Sequence, residues 1–342
     1  MKLETLLFVS WGFLWAGYFA LDGYDFGVGA LFELLGRSSV ERRLMIGSIS
    51  PVWNGNEVWL ITAGAVTFAA FPRAYATIFS SFYSLLLLLV GALILRGVVF
   101  EFRGELKDPR WTGAWDVAFA AGSIVPPFLF GVIFGNVFRG LALGADGFSG
   151  SFFAFFNPYS LLTGILFLAL FLHHGAQWLS VKTGGALKER AEEAAGRIWY
   201  GVLLIGALFA VYTSYATGLY SNYVNHPGWL VVPLAAVAAL LFNKYLLLIK
   251  NDLAAFLASA AAIVLFVFFA LAGLYPSLLP AADGGAGGIT IDNAAAGSYA
   301  LVIAAAALII FMPLVIAYQL WVYGVFKGRL LEEDVTRDEE AY

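Results

Sequence analysis

The chain has 342 residues, 61% of them hydrophobic and only 12% charged, where a soluble domain carries roughly half apolar and a quarter charged residues; this excludes an ordinary soluble protein and marks a polytopic membrane protein. Cysteine is absent, which excludes disulfides, thiolate metal sites and covalent haem attachment through C-x-x-C-H, so any cofactor would be held by His, Met or noncovalent contacts. The net charge of −4, with basic residues in short clusters and no extended basic face, argues against nucleic acid as a partner.

A helix needs about 20 apolar residues to cross a bilayer core of about 30 Å. Nine spans meet that need, at residues 5–35, 54–71, 75–99, 113–138, 158–181, 198–219, 229–249, 253–275 and 298–325. The first apolar run is too long for a signal-peptide core and is expected to remain as a helix. Pro, Gly or charge marks the turns: Pro72, "KDPR" at 107–110, Asn157-Pro158, "NHPG" at 225–228 and "DGGAGG" at 283–288. Of the 19 Lys and Arg residues, Lys2, Arg73 and Arg139 fall on one side and Arg96 inside a span. The others cluster near 36–43, 103–110, 182–197, 244–250 and beyond 327. Cytoplasmic loops concentrate Lys and Arg, so nine spans place the N-terminus outside and the C-terminus in the cytoplasm. The outer loop at 276–297, rich in glycine and without Lys or Arg, reads as a flexible connection.

The first span as one helix would reach about 45 Å at 1.5 Å per residue, so it must tilt, kink or protrude; Gly23, Gly27 and Gly29 suggest a kink. The glycines of "GVGALFELLG" do not form a nucleotide fingerprint, because no strand precedes them. Within this span "YFALDGYDFGVGALF" (18–32) carries Asp22 and Asp25. An aspartate at a span's centre costs about 2.5–3.5 kcal/mol. The two are three apart and share a face, which must meet protein or internal water. They form either a proton-carrying pair or a pair that only accepts hydrogen bonds from neighbouring helices.

"SISPVWNGNEVWLITAG" (48–64) opens the second span. Asn54 is placed to cap it, with Glu57 at the third position, where a carboxylate suits the helix dipole. Alternatively Asn54 and Glu57 line a hydrated cytoplasmic entrance for protons. Trp53 and Trp59 are expected as interfacial anchors. Arg96 in "GALILRGVVFEFRG" either snorkels to the interface or pairs with Asp25, Glu57, or a quinone or lipid headgroup. The fourth span carries Asp116 near its start and then Pro126 and Pro127. Proline is tolerated in a span whose neighbours satisfy the freed carbonyls, so this helix should be kinked and closely packed. The histidines are His173, His174 and His226. His173 and His174 point about 100° apart on a helix and cannot both ligate one iron. Satisfied polar positions are the better account of them than axial ligation, and two bis-histidine haems would need more His than exist.

Together, "LDGYDFGVGAL" (21–31), "ERRLMIGSISPVWNGNEVWLITAGAVTFAAFP" (41–72), "FSSFYSLLLLLVGALILRGVVFEFR" (79–103), "WDVAFAAGSIVPPFLFGVIFGNVFRG" (115–140) and "NPYSLLTG" (157–164) resemble subunit II of the cytochrome bd-type quinol oxidases, including the cyanide-insensitive variants. The tail "YGVFKGRLLEEDV" (323–335) is also similar, whereas about 200–300 matches only in helix number. The resemblance implies an all-α membrane protein of nine spans, with two four-helix bundles (1–140 and 155–275), a peripheral ninth helix (298–325) and a cytoplasmic tail (326–342). It implies a bacterial inner-membrane heterodimer with subunit I, which carries the b-type and d-type haems and the quinol site; this chain would ligate no metal. A small single-helix subunit, quinone and lipid are further partners of such complexes. The complex oxidises quinol and reduces dioxygen to water with proton uptake from the cytoplasm, and it is not a haem–copper proton pump. By the same resemblance Asp25 and Asp22 match acids on a proton route, Arg96 matches an arginine on the inner side, and Trp53 and Glu57 lie where that route begins. Asn54 departs from the pattern, since the enterobacterial form has an acid there; protons would then enter through Glu57 or reach Asp25 through water. The buried acids alone equally suit a proton- or cation-coupled secondary transporter. A pure scaffold role in the oxidase is the third reading.

Overall fold

The structure is a computed structural model that describes residues 2–144, 147–148, 150–282 and 287–333. It is almost wholly helical. The first half runs α1 (Leu3–Ala30), α2 (Phe32–Leu35), α3 (Ser39–Ile49), α4 (Trp53–Ala70), α5 (Pro72–Ser81), α6 (Tyr83–Phe102) and α7 (Pro109–Arg139). The second runs α8 (Pro158–Lys182), α9 (Gly185–Ala216), α10 (Tyr220–Asn225), α11 (Val231–Leu248), α12 (Asp252–Leu274), α13 (Ile291–Ala294) and α14 (Ser298–Val325).

Local chemistry sets the helix ends. Asp108, Asn157 and Asn251 accept backbone N–H bonds at the starts of α7, α8 and α12, supplying acceptors that a helix N-terminus lacks. Ser38 and Glu41 form a reciprocal capping box on α3.

Among the described residues eight helices are long and apolar enough to cross a membrane. The expected second span, α4, falls short because its 18 residues open on the polar "WNGNE". The expected span 75–99 is interrupted at Phe82, where α5 gives way to α6. The fifth loop is helical instead, so that α9 has 32 residues and its first turns carry the charges of "LKERAEE".

The first span breaks at Leu31, beyond its glycines. α1 is continuous to Ala30 and stops at Leu31, with the short α2 following. The glycines serve close approach: a Cβ on Gly27 would lie 1.9 Å from the carbonyl oxygen of Phe171 and 2.8 Å from Gly175 Cα. α1 thus packs hard against α8, and it also touches α4, α7 and α12. α7 bridges α6 and α8, α9 lies on α8, α11 lies on α12, and α14 rests on α1 and α4. Gly131 of α7 meets Gly164 of α8 in the same way. Pro126 and Pro127 are buried inside α7, which remains one helix through them.

The described part of the loop expected to be a flexible connection is packed. β1 (Ser277–Leu279) pairs with β2 (Ile289–Thr290), Leu278, Leu279, Ile289 and Ile291 are buried, and Ala296 N–H donates to Ala70 O. Apolar side chains among the glycines explain the difference. Residues 283–286 of "DGGAGG" and residues 334–342 of the tail lie outside the described residues.

At one end of the molecule the charges pair across elements. Asp116 accepts from Arg42 at 2.5 Å and Arg103 at 2.6 Å, Glu41 meets Arg190 at 2.5 Å, and Asp252 meets Lys188 at 2.9 Å. At the opposite end Lys2 pairs with Asp292.

Candidate functional site: a buried charge cluster on the first helix

α1 carries Asp22 and Asp25 into a region where neither has any solvent exposure. α6 brings Arg96, also fully buried, and α4 brings Asn56 and Glu57. Glycine on α7 makes room, since a Cβ on Gly122 would sit 3.0 Å from the backbone N of Arg96.

Arg96 is the hub. Its Nη2 donates to Asp22 Oδ1 at 2.8 Å and Oδ2 at 3.1 Å, and to Glu57 Oε1 at 2.7 Å. Its guanidinium also lies 4.1 Å from the Phe26 ring centroid, a cation–π contact. Of the two carboxylates expected to meet Arg96, Glu57 does and Asp25 does not; Asp22 takes that place. Snorkelling is overturned, because a snorkelling side chain carries its head into water and this one is wholly enclosed. Glu57 keeps 24% of its side chain exposed, so the cluster runs from a wet carboxylate to dry ones. Arg96 Nε and Nη1, Asp25 Oδ1 and Tyr18 Oη are buried without a protein hydrogen-bond partner. Buried polar atoms of this kind are where internal water binds.

Asp25 is held from the other side. Asn56 Nδ2 donates to Asp25 Oδ2 at 2.8 Å and to Tyr24 Oη at 2.9 Å. Asn56 Oδ1 accepts from Gln319 Nε2 at 2.9 Å and from Tyr323 Oη at 3.0 Å. Gln319 Oε1 accepts from Trp59 Nε1 at 2.7 Å, and Tyr24 and Tyr323 share a short hydroxyl contact.

Asn54 is not in this site. It is exposed, and the helix starts one residue earlier than expected with Val52 as its N-cap, so neither Asn54 nor Glu57 caps it. Residues two apart point to nearly opposite sides of a helix, so Asn54 faces out when Asn56 faces in. Trp53 is half-buried and stacks on Phe100 at 4.8 Å. Trp59 is buried and hydrogen-bonded, which corrects its expected place as an interfacial anchor. Asp116 belongs to the separate pairing with Arg42 and Arg103.

Each buried histidine has both ring nitrogens engaged: His173 with Ala195 O and Asn243 Oδ1, His174 with Ser259 Oγ and Ala20 O. Among the described residues no group of three His, Cys, Asp or Glu side chains could hold a metal ion. With both ring nitrogens engaged, neither buried histidine offers a ligand to a haem iron. Asn56, Gln319, Tyr323 and Tyr24 were missed by the sequence reading, although Gln319 stands out as a lone amide in an apolar span.

The model of the family described as cytochrome bd terminal oxidase subunit II matches residues 3–326. The chain is 35% identical to cytochrome bd ubiquinol oxidase subunit 2 of Bacillus subtilis (strain 168), over 97% of this chain and 98% of the relative. It is 32% identical to cytochrome bd-I ubiquinol oxidase subunit 2 of Escherichia coli (strain K12), over 99% of this chain and 98% of the relative. A chain of the bd oxidase from Geobacillus thermodenitrificans shares the fold, with a TM-score of 0.77 and 19% identity, covering 95% of this chain and 99% of that one. The match over nearly the whole length assigns this chain to the cytochrome bd terminal oxidase subunit II family.

Proposed function

We propose that this chain is the subunit of a bacterial inner-membrane quinol oxidase that ligates no haem and supplies protons for the reduction of dioxygen to water. Dioxygen must receive protons as well as electrons to become water. The electrons would come from quinol through b-type and d-type haems held by subunit I; with His173 and His174 fully engaged, no step is assigned to a haem on this chain. The observation that carries the reading is the fully buried Arg96 holding Asp22 and a part-exposed Glu57.

Each group has a distinct task. Arg96 stays charged, because a guanidinium does not deprotonate in a protein; it offsets the cost of burying two carboxylates and fixes them on either side of itself. Glu57, the exposed member, takes protons from the cytoplasmic side. Protons then pass along the Asp22 and Asp25 face of α1 through water bound at the unpartnered atoms of Arg96, Asp25 and Tyr18. Asn54 has no part in the route. Arg96 is the centre of a charge pair and not a ligand for a quinone or lipid headgroup, since its head is enclosed.

Nine spans with the N-terminus outside are part of this proposal, α4 serving as the ninth. Its support is the ion-paired end formed by Arg42, Arg103, Lys188, Arg190 and their carboxylates, which becomes the cytoplasmic face. The helices group as α1, α4, α6, α7 and as α8, α9, α11, α12, with α14 peripheral; a small single-helix subunit would add to the outside. The transporter reading is set aside by the full-length family match. Purification through an affinity tag on this chain, followed by a reduced-minus-oxidised visible spectrum, tests the proposal. Bands of b-type and d-type haem should accompany the tag, and a colourless, monodisperse protein would refute it.

A further inference from the structure

The hydrogen bonds around Asn56 have only one consistent direction. The Trp59 indole N–H is a donor and never an acceptor, so the Gln319 atom that faces it is the amide oxygen. The Gln319 nitrogen then donates to Asn56, which makes the atom facing Gln319 and Tyr323 the Asn56 oxygen. The Asn56 nitrogen is left to face Asp25 Oδ2 at 2.8 Å and Tyr24 Oη at 2.9 Å, with the Leu21 carbonyl oxygen farther off at 3.2 Å. Tyr24, accepting from Asn56, donates to Tyr323, and Tyr323 donates back to Asn56 Oδ1. The ring is closed, with the Trp59 indole proton and both tyrosine hydroxyl protons committed.

We propose that Asn56 is a positioning residue that makes Asp25 one-sided: the Asn56 N–H holds Oδ2 as a permanent acceptor, so the carboxyl proton is carried on Oδ1. This rests on the reading of Asp25 as a proton carrier and goes beyond it by naming the oxygen. On the far side of the ring, Tyr24, Trp59, Gln319 and Tyr323 line a cavity of about 810 Å³, whose wall Asp25 does not reach. An amide N–H donates and does not relay a proton to a carboxylate it already serves, so the ring closes Asp25 to protons from that cavity. Loading is confined to Oδ1, which is buried with no protein hydrogen-bond partner. The indole of Trp59, three hydrogen bonds away from Asp25 in this chain of contacts, sets the direction of the whole ring.

The test is the redox-induced infrared difference spectrum of the two-subunit complex. A carboxylic acid C=O band should be lost in Asp25→Asn. In Asn56→Leu that band should move to higher wavenumber, because Oδ2, the carbonyl oxygen when Oδ1 carries the proton, loses its donor. Gln319→Leu, which leaves Asn56 in place and weakens its orientation, should move the band in the same direction by less, and it serves if Asn56→Leu does not assemble. A band present in the parent and lost in Asp25→Asn, yet unmoved or lowered in both other variants, would overturn the inference and leave the proton-carrier reading standing. Absence of any band assignable to Asp25 would overturn both.

Discussion

Arg96 and Asp22 meet on adjacent helices with neither side chain exposed, Nη2 lying 2.8 and 3.1 Å from the two carboxylate oxygens. Removing one member of a buried pair costs about 3–5 kcal/mol, chiefly through the uncompensated charge left behind. Arg96→Leu is therefore expected to destabilise the complex by an amount in that range, seen as earlier loss of the haem bands on heating. Adding Asp22→Asn to Arg96→Leu should recover part of the loss, since the stranded charge is removed. Strictly additive effects in that double-mutant cycle would show that the two side chains do not act as a pair.

Glu57 and Asn54 separate the route from its surroundings. Glu57→Gln keeps the shape and removes the titratable group, and it should lower quinol-driven oxygen consumption about tenfold, equivalent to roughly 1.4 kcal/mol in the barrier. Asn54→Ala alters an exposed residue outside the network and should change the rate by less than about twofold, as surface substitutions do. Steady-state turnover of both variants decides the matter; a larger loss at Asn54 than at Glu57 would move the entrance to Asn54.

Gly27 faces backbone, which cannot swing away. A methyl there would come within 1.9 Å of Phe171 O, so Gly27→Ala should exceed the usual overpacking cost of about 1–3 kcal/mol and reduce the yield of assembled complex. Gly201→Ala, where a Cβ meets nothing within 4 Å, should be neutral or slightly stabilising by helix propensity. Equal yields from the two variants would contradict the close contact of α1 and α8.

Glu41, on the connecting helix α3, is a source of acid sensitivity. Burial alone would raise its pKa, but Arg190 and the backbone N–H groups of Arg37 and Ser38 together hold it below its ordinary value of 4.5. A group depressed in the folded state contributes stability that is present above its unfolded pKa and lost as pH falls through the folded one. The complex should therefore lose this contribution below about pH 4.5, and Glu41→Gln should flatten that part of the profile. Thermal midpoints of both proteins across that range provide the comparison.

The fold was legible because long apolar runs can do little else than span a bilayer, and the spans fall within a few residues of the helices except where α9 extends and α5 breaks from α6. Asp22, Asp25, Glu57 and Arg96 were legible for the converse reason: a charge in such a run needs a partner. The pairing was not, because sequence separation does not say which of two acids one turn apart meets a given arginine. Asn56 was hidden beside Asn54, since two equivalent amides two residues apart differ only in which face turns inward. Gln319 and Tyr323 lie more than 260 residues from Asn56 in the chain, and only the docking of α14 brings them to it. The packed outer loop escaped notice because its glycines spoke louder than Leu278, Leu279 and Ile291.

Asp25→Asn in the two-subunit complex, reconstituted into vesicles with quinol-driven oxygen consumption and proton uptake recorded together, tests the proton route most directly. The expected result is normal haem content with both rates falling in step by at least about tenfold, roughly 1.4 kcal/mol in the barrier. Parental rates of oxygen consumption and proton uptake in a fully assembled Asp25→Asn complex would contradict the account and leave this subunit the role of a scaffold.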